Sequence, residues 1–159
     1  QHFHQLLRAA VSLASRSERR MALLFLDLDG FKQVNDRFGH LVGDDLLALF
    51  GALLREHLRA SDLPCRYGGE EFLLIAPETT AEQACIVAER IRLEFRERSR
   101  AVAAGGPQTV SVGICASDVL EVELSERTLL AAADDALYRA KDGGRDRVEV
   151  SRRPPDQAA

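Results

Sequence analysis

Apolar residues recur along this chain in two rhythms. Over residues 1–19, Phe3, Leu6, Leu7, Ala10, Val11, Leu13 and Ala14 fall at helical spacing before a charged end. The run MALLFLDL, residues 21–28, is nearly all apolar, too short for a typical helix and suited to a strand buried on both faces. From Gly43-Asp44 the set Leu46, Leu47, Phe50, Leu53, Leu54 and Leu58 returns to 3–4 spacing and predicts an amphipathic helix to about Arg59. PCRYGGEEFLLIAP then reads as strand, tight turn, strand. Thr80 and Glu82 open another helix, with Ala84, Ile86, Val87, Ile91 and Phe95 along it. GGP at 105–107 is a loop, TVSVGICAS an alternating strand, Leu129 to Lys141 a helix ended by DGG, and DRVEVS a last short strand. The order α-β-α-β-β-α-β-α-β predicts an α/β (α+β) sandwich. Its core is a mostly antiparallel sheet carrying a β-hairpin turn, flanked by helices.

The length of 159 residues suits one domain over 1–150, with residues 151–159, which end in RRPPDQAA, as a flexible tail or linker. A formal net charge of −4 excludes a general basic footprint, so neither DNA nor RNA is an expected partner. With no apolar run of about 18 residues and no signal peptide, the expected location is cytosolic. Cys65, Cys85 and Cys115 are isolated and odd in number, and read as reduced thiols. The basic residues are 19 Arg and only two Lys, Lys32 and Lys141. In so Arg-biased a chain each lysine invites a question about its position.

Three polar clusters fall at element boundaries. In DLDGFKQVND, Asp27 and Asp29 alternate on one strand face where a buried strand ends, a place where carboxylates can hold Mg²⁺. In CRYGGEEFLL, Glu70 and Glu71 stand at a Gly-Gly turn against an apolar run, and pairing of that hairpin beside the first strand would bring one of them to Asp27. In YRAKDGGR, Lys141 and Arg145 sit at a helix end and in the loop after it, where two cations can meet phosphate oxygens. Each cluster alone has a plainer reading. The aspartates could be solvated loop acids, and the cations could complement a helix dipole. Together they are specific, because both lysines fall inside candidate phosphate clusters.

These residues carry a resemblance. GGEEF at 68–72 resembles the signature of the GGDEF family, the diguanylate cyclases. FLDLDGFKQVNDRFGHLVGDDLL follows the family's D-x-D-x-F-K-x-x-N-D-x-x-G-H-x-x-G-D-x-x-L pattern. TVSVGI follows T-x-S-x-G-(I/V), and ADDALYRAKDGGRDRV follows A-D-x-A-L-Y-x-A-K-x-x-G-R-(N/D). The agreement spans roughly residues 3 to 150. It implies a nucleotide-cyclase-like fold and the condensation of two GTP molecules into cyclic di-GMP with release of two pyrophosphates. Each of two domains would bring one GTP, so a homodimer is the implied catalytic species.

By this resemblance Asp27, Glu70 and the Leu28 carbonyl would bind Mg²⁺ or Mn²⁺, two ions per active site. Glu71 would sit near the attacking 3′-hydroxyl, with one of the two glutamates as base. Lys32 would stabilise phosphate charge, and Gly30 and Phe31 would offer backbone N–H groups. Asn35 and Asp44 would read the guanine edge, Asp44 having a second reading as a helix cap. His40 would be a lesser substrate contact or a structural histidine at a helix entry. Lys141 and Arg145 would hold the terminal phosphates. RASD, Arg59 to Asp62, stands five residues before the turn, where many members carry a product-inhibition site, and Arg90 matches a further arginine of that site. RAKD at 139–142 and RPPD at 153–156 match the same short pattern without the offset.

Two departures are visible. The family stretch D-x-L-T-G-L-x-N-R would end just before QHF, so a truncated chain is expected, and Asp146 stands where Asn is commoner. A regulatory domain is expected in the parent protein, which could itself be membrane-bound. Two other functions compete with the cyclase. One is a module that binds GTP or cyclic di-GMP without turnover, against which the retained turn acids and metal aspartate argue. The other is a purine cyclase making a 3′,5′-cyclic mononucleotide, against which GGEEF and the Asn35/Asp44 pair argue.

Overall fold

The computed structural model describes residues 2–120 and 122–152. Strand β1 (Met21–Leu28) lies at the centre of a five-stranded sheet, with β2 (Leu63–Arg66) and β3 (Glu71–Pro77) on one side and β4 (Val110–Ala116) and β5 (Val148–Val150) on the other. All eight residues of β1 are buried, which is why its sequence shows no alternation. The β1–β3, β1–β4 and β2–β3 ladders are antiparallel, and β4–β5 is parallel.

Parity along β1 sorts two cores. Ala22, Leu24, Leu26 and Leu28 face α2 (Phe31–Phe38), α3 (His40–His57) and α4 (Ala81–Arg98), packing with Phe50, Phe72 and Phe95. Met21, Leu23 and Phe25 face α1 (His2–Ser17) and α5 (Glu126–Asp142), packing with Phe3, Leu7, Leu129 and Leu137. Asp27 continues this second row, so a carboxylate takes the next position on the face covered by α5. A side chain at Gly113 of β4 would meet the Ala133 carbonyl oxygen and the Leu137 nitrogen, each at 2.2 Å. Glycine there lets α5 lie directly on the sheet, and that depth fixes where the end of α5 arrives.

The helix boundaries differ from the sequence reading in three places. Residues 31–38 form a separate helix that the pattern does not predict, because its eight residues bury only Phe31 and Val34. Left-handed Gly30 (φ +65°) and Gly39 (φ +88°) bound it. Helix α3 accordingly starts at His40, not at Gly43, and Gly39 is its cap. Asp44 is the fifth residue of α3, which overturns its alternative reading as a cap. Helix α5 begins at Glu126, three residues before Leu129, because Ser125 and Thr128 form a reciprocal cap. Thr80 and Gln83 cap α4 in the same way. Among the described residues no helix is long and apolar enough to cross a membrane. Cys65, Cys85 and Cys115 are all unpaired thiols. The tail at 153–159, with its RPPD match, lies outside the described residues.

Candidate functional site

The carboxyl end of β1 opens into a cleft of about 170 Å³ lined by Asp27, Leu28, Asp29, Gly30, Phe31, Lys32, Gln33, Glu70, Lys141 and Arg145. Asp27 is 7% exposed, and the Lys141 ammonium donates to its Oδ2 at 2.8 Å. Burial pushes the Asp27 carboxyl up from its ordinary value, the Lys141 contact pulls it down, and the neighbouring charges of Glu70 and Glu71 push it up again. The net direction is upward. A half-buried group of acids, with the Lys141 ammonium bonded to Asp27, fits a hard divalent cation. Its donors are all oxygen, and Asp27 and Glu70 are the carboxylates that could hold it. Among the described residues, the one His/Cys/Asp/Glu cluster tight enough to offer three side-chain ligands is elsewhere, at Glu56, His57 and Glu94. Arg98 already bonds Glu56 at 2.7 Å and approaches Glu94 at 3.9 Å.

The hairpin turn meets β1 in a definite register. Asp27 pairs with Glu71 and with Ser111, so these three side chains share one face of the sheet. The Leu28 N–H donates to the Glu70 carbonyl at 3.1 Å. The two glutamates take different places. Glu70 lines the cleft, whereas Glu71 folds over the turn, and a Cβ at Gly68 would lie 2.5 Å from its Oε2. Arg66 was not singled out from sequence, yet it braces this turn. Its Nη2 donates to the Gly69 carbonyl at 2.8 Å, and its Nε reaches the Gly68 carbonyl at 3.2 Å.

The first turn of α2 supplies the floor. Gly30, Phe31 and Lys32 present a helix N-terminus to the cleft, where free N–H groups favour an anion. Asn35, one turn on, packs against α3. A Cβ at Gly43 would sit 1.9 Å from Asn35 Oδ1, so glycine is required for this approach. That oxygen is buried and has no hydrogen-bond partner. An orphaned acceptor of this kind normally has a donor to meet. Asp44 follows Gly43 and is exposed, as are His40 and Lys32.

Asp29 has a different role from Asp27 despite the D-x-D spacing. Its Oδ2 accepts from Thr109 Oγ1 at 2.8 Å and from the Asp146 N–H at 3.1 Å, and its Oδ1 accepts from Ser111 Oγ at 2.7 Å. It ties the end of β1 to the start of β4 and to the loop after α5. Arg145 belongs to that loop and lines the cleft beside Lys141.

Arg59 and Asp62 lie together after α3. Asp62 Oδ2 accepts from the Arg59 N–H at 2.9 Å, closing a turn that leaves Arg59 exposed. Gln83 and Val87 of α4 line the same small pocket as Arg59 and Asp62, and Arg90 is exposed one turn further along that helix. Arg139, in the competing RAKD, is committed elsewhere: it pairs with Asp135 and donates to the Val150 carbonyl at 2.8 Å.

The family model described as "Diguanylate cyclase, GGDEF domain" matches residues 1–147. The chain is 41% identical over 145 residues to the response regulator PleD of Caulobacter vibrioides, an alignment covering 89% of this chain and 32% of PleD. It is 37% identical over 153 residues to the diguanylate cyclase DgcP of Pseudomonas aeruginosa, covering 91% of this chain and 21% of DgcP. The chain thus spans a third or less of these two curated relatives. Among solved structures, the GGDEF domain of DgcB from Caulobacter crescentus, in complex with c-di-GMP, superimposes with a TM-score of 0.85 at 32% identity, covering 94% of this chain and 88% of that one. The active GGEEF domain of a diguanylate cyclase from Vibrio cholerae gives 0.83 at 29% identity and 94% of each chain. A family match across nearly the whole chain, with the same fold and the same turn, makes this chain a member of the GGDEF-domain diguanylate cyclase family.

Proposed function

We propose that this chain is a diguanylate cyclase catalytic domain, spanning residues 1–150, that condenses two GTP molecules into cyclic di-GMP and two pyrophosphates. The observation that carries the reading is the cleft at the end of β1, where Asp27 and Glu70 meet Lys141, Arg145 and the N-terminus of α2. Relatives that are diguanylate cyclases, and a neighbour solved with c-di-GMP, support it.

In each half-reaction the 3′-oxygen of one GTP attacks the α-phosphorus of the other. A P–O bond forms, the bond to pyrophosphate breaks, and the hydroxyl proton passes to Glu70 or Glu71. Two such steps close the ring. Asp27, Glu70 and the Leu28 carbonyl would hold Mg²⁺ or Mn²⁺, two ions per site, and the metal would supply charge neutralisation at the reacting phosphate oxygens. Lys32 and the N–H groups of Gly30 and Phe31 hold phosphate oxygens, and Lys141 and Arg145 hold the terminal ones. Asn35 and Asp44 read the guanine edge, the Asn35 oxygen accepting from a base N–H, with His40 at the rim. Arg59, Asp62 and Arg90 bind cyclic di-GMP as an inhibitor. One GTP per domain makes the homodimer the catalytic species. In the parent protein a regulatory domain controls this encounter in the cytosol.

Mass spectrometry of products from GTP and Mg²⁺ tests the reading, and cyclic di-GMP is expected. Nucleotide binding without turnover would make the domain a regulatory module. A 3′,5′-cyclic GMP product would make it a purine cyclase.

A further inference from the structure

The loop that carries Arg145 has an uncommon backbone. Gly144 (φ +114°), Arg145 (φ +63°) and Asp146 (φ +45°) are left-handed in succession. Glycine adopts that conformation freely, but the two side-chain-bearing residues do so only where their surroundings over-determine it. The Arg145 N–H donates to the Ala140 carbonyl at 3.0 Å, and the side-chain restraint falls on Asp146. Its N–H is held by Asp29. Its Oδ1 accepts from Arg92 Nη1 at 2.7 Å, its carbonyl accepts from the same nitrogen at 3.2 Å, and Arg96 Nη1 lies 3.2 Å from its Oδ2. Arg92 is itself fixed: 14% exposed, it grips Glu89 Oε2 through Nη2 at 2.7 Å and through Nε at 2.9 Å. The anchor belongs to α4, which contributes nothing to the cleft lining.

We propose that Arg92 is a positioning residue, which through Asp146 holds this loop left-handed and so keeps the Arg145 guanidinium in the cleft for the terminal phosphates. The inference rests on the cyclase reading for the identity of the ligand. Without the Arg92–Asp146 clamp, Arg145 and Asp146 relax to negative φ and Arg145 swings out of the cleft. Arg92 lies outside the cleft lining, and on this proposal its effect on the ligand passes through Arg145.

That requirement gives the test. Binding of α,β-methylene GTP with Mg²⁺ is measured by calorimetry for the wild type, Arg92→Ala, Arg145→Ala and the double variant, with GMP as the ligand lacking terminal phosphates. Arg92→Ala should weaken the triphosphate about tenfold and leave GMP within about twofold, since one charge-assisted contact is lost indirectly. In the Arg145→Ala background the Arg92 change should have no further effect, because the two act in series. Asp146→Gly, which keeps left-handed freedom and removes the carboxylate, should reproduce the affinity loss without lowering the melting temperature. Equal weakening of GMP, an undiminished Arg92 effect in the double variant, or unchanged triphosphate affinity would each overturn the inference while leaving the cyclase reading standing. A wild-type chain that binds no triphosphate overturns both.

Discussion

Asp27 is held between opposed forces. Burial and two neighbouring glutamates disfavour its charge, and the Lys141 ammonium favours it, with the upward direction prevailing. An acid whose folded pKa lies above its unfolded value binds protons more readily when folded. The metal-free protein therefore loses this part of its stability as pH climbs from the ordinary carboxylate value through the raised one. A divalent cation bound there would supply the missing counter-charge. Asp27→Asn should accordingly melt higher than the wild type at neutral pH without metal. Mg²⁺ should raise the wild-type melting temperature and leave that of the variant unchanged. Turnover should fall by about 10²-fold or more, the usual scale for losing such an electrostatic contact. Thermal melts with and without Mg²⁺, beside product assays, check this, and near-normal product formation would place the metal elsewhere. At this scale the sequence was partly legible. Asp27, Glu70, Lys141 and Arg145 stood out as charges at element ends. The spacing could not separate Asp27 from Asp29, because alternation puts both on one face, and only the partners Thr109, Ser111 and Asp146 reveal that Asp29 is already saturated. The closeness of Asn35 to Gly43 was equally hidden, since it depends on how α2 meets α3.

Elements with a long hydrophobic rhythm were readable, and those fixed by contact were not. The apolar run of β1 and the stripes of α3 and α4 follow directly from burial. Helix α2 has too few turns to show a period, and the start of α5 depends on the Ser125–Thr128 cap. The depth of α5 on the sheet, which delivers Lys141 to Asp27, is set by Gly113, a residue the pattern marks only as part of a strand. The two R-x-x-D matches among the described residues show the same division. Identical in sequence type, they sit in different elements: Arg59 is exposed in the turn after α3, while Arg139 lies within α5 and donates to β5. Arg59→Ala should weaken cyclic di-GMP binding by about 1–3 kcal/mol, the cost of a charge-assisted contact, with little change in stability. Arg139→Ala should lower the melting temperature and leave product affinity intact. Calorimetry on both variants decides it, and the reverse pattern would remove the product site from this turn.

Assembly is where the proposed chemistry demands more than one copy of the fold can supply. The cleft presents one set of candidate metal carboxylates and one pair of cations at Lys141 and Arg145. The product requires two GTP molecules, each aiming its 3′-hydroxyl at the other's α-phosphate. On the cyclase reading proposed above, each cleft holds one GTP and two clefts would face each other. The facing surfaces would carry Asp27, Glu70 and two triphosphates, and like charge would oppose their approach until metal, Lys32, Lys141 and Arg145 offset it. The encounter of two chains in dilute solution would then be the slow step, and the rate per chain would depend on how often chains meet. Turnover should rise faster than linearly with protein concentration while the chain is mostly monomeric. Fusing a parallel dimeric helix upstream of Gln1 should raise specific activity by raising the effective concentration of the partner domain. Initial rates of cyclic di-GMP formation across a dilution series, read beside the molar mass from light scattering, measure this directly. A rate strictly proportional to concentration throughout the monomeric range, with genuine cyclic di-GMP as product, would rule out catalysis between two domains.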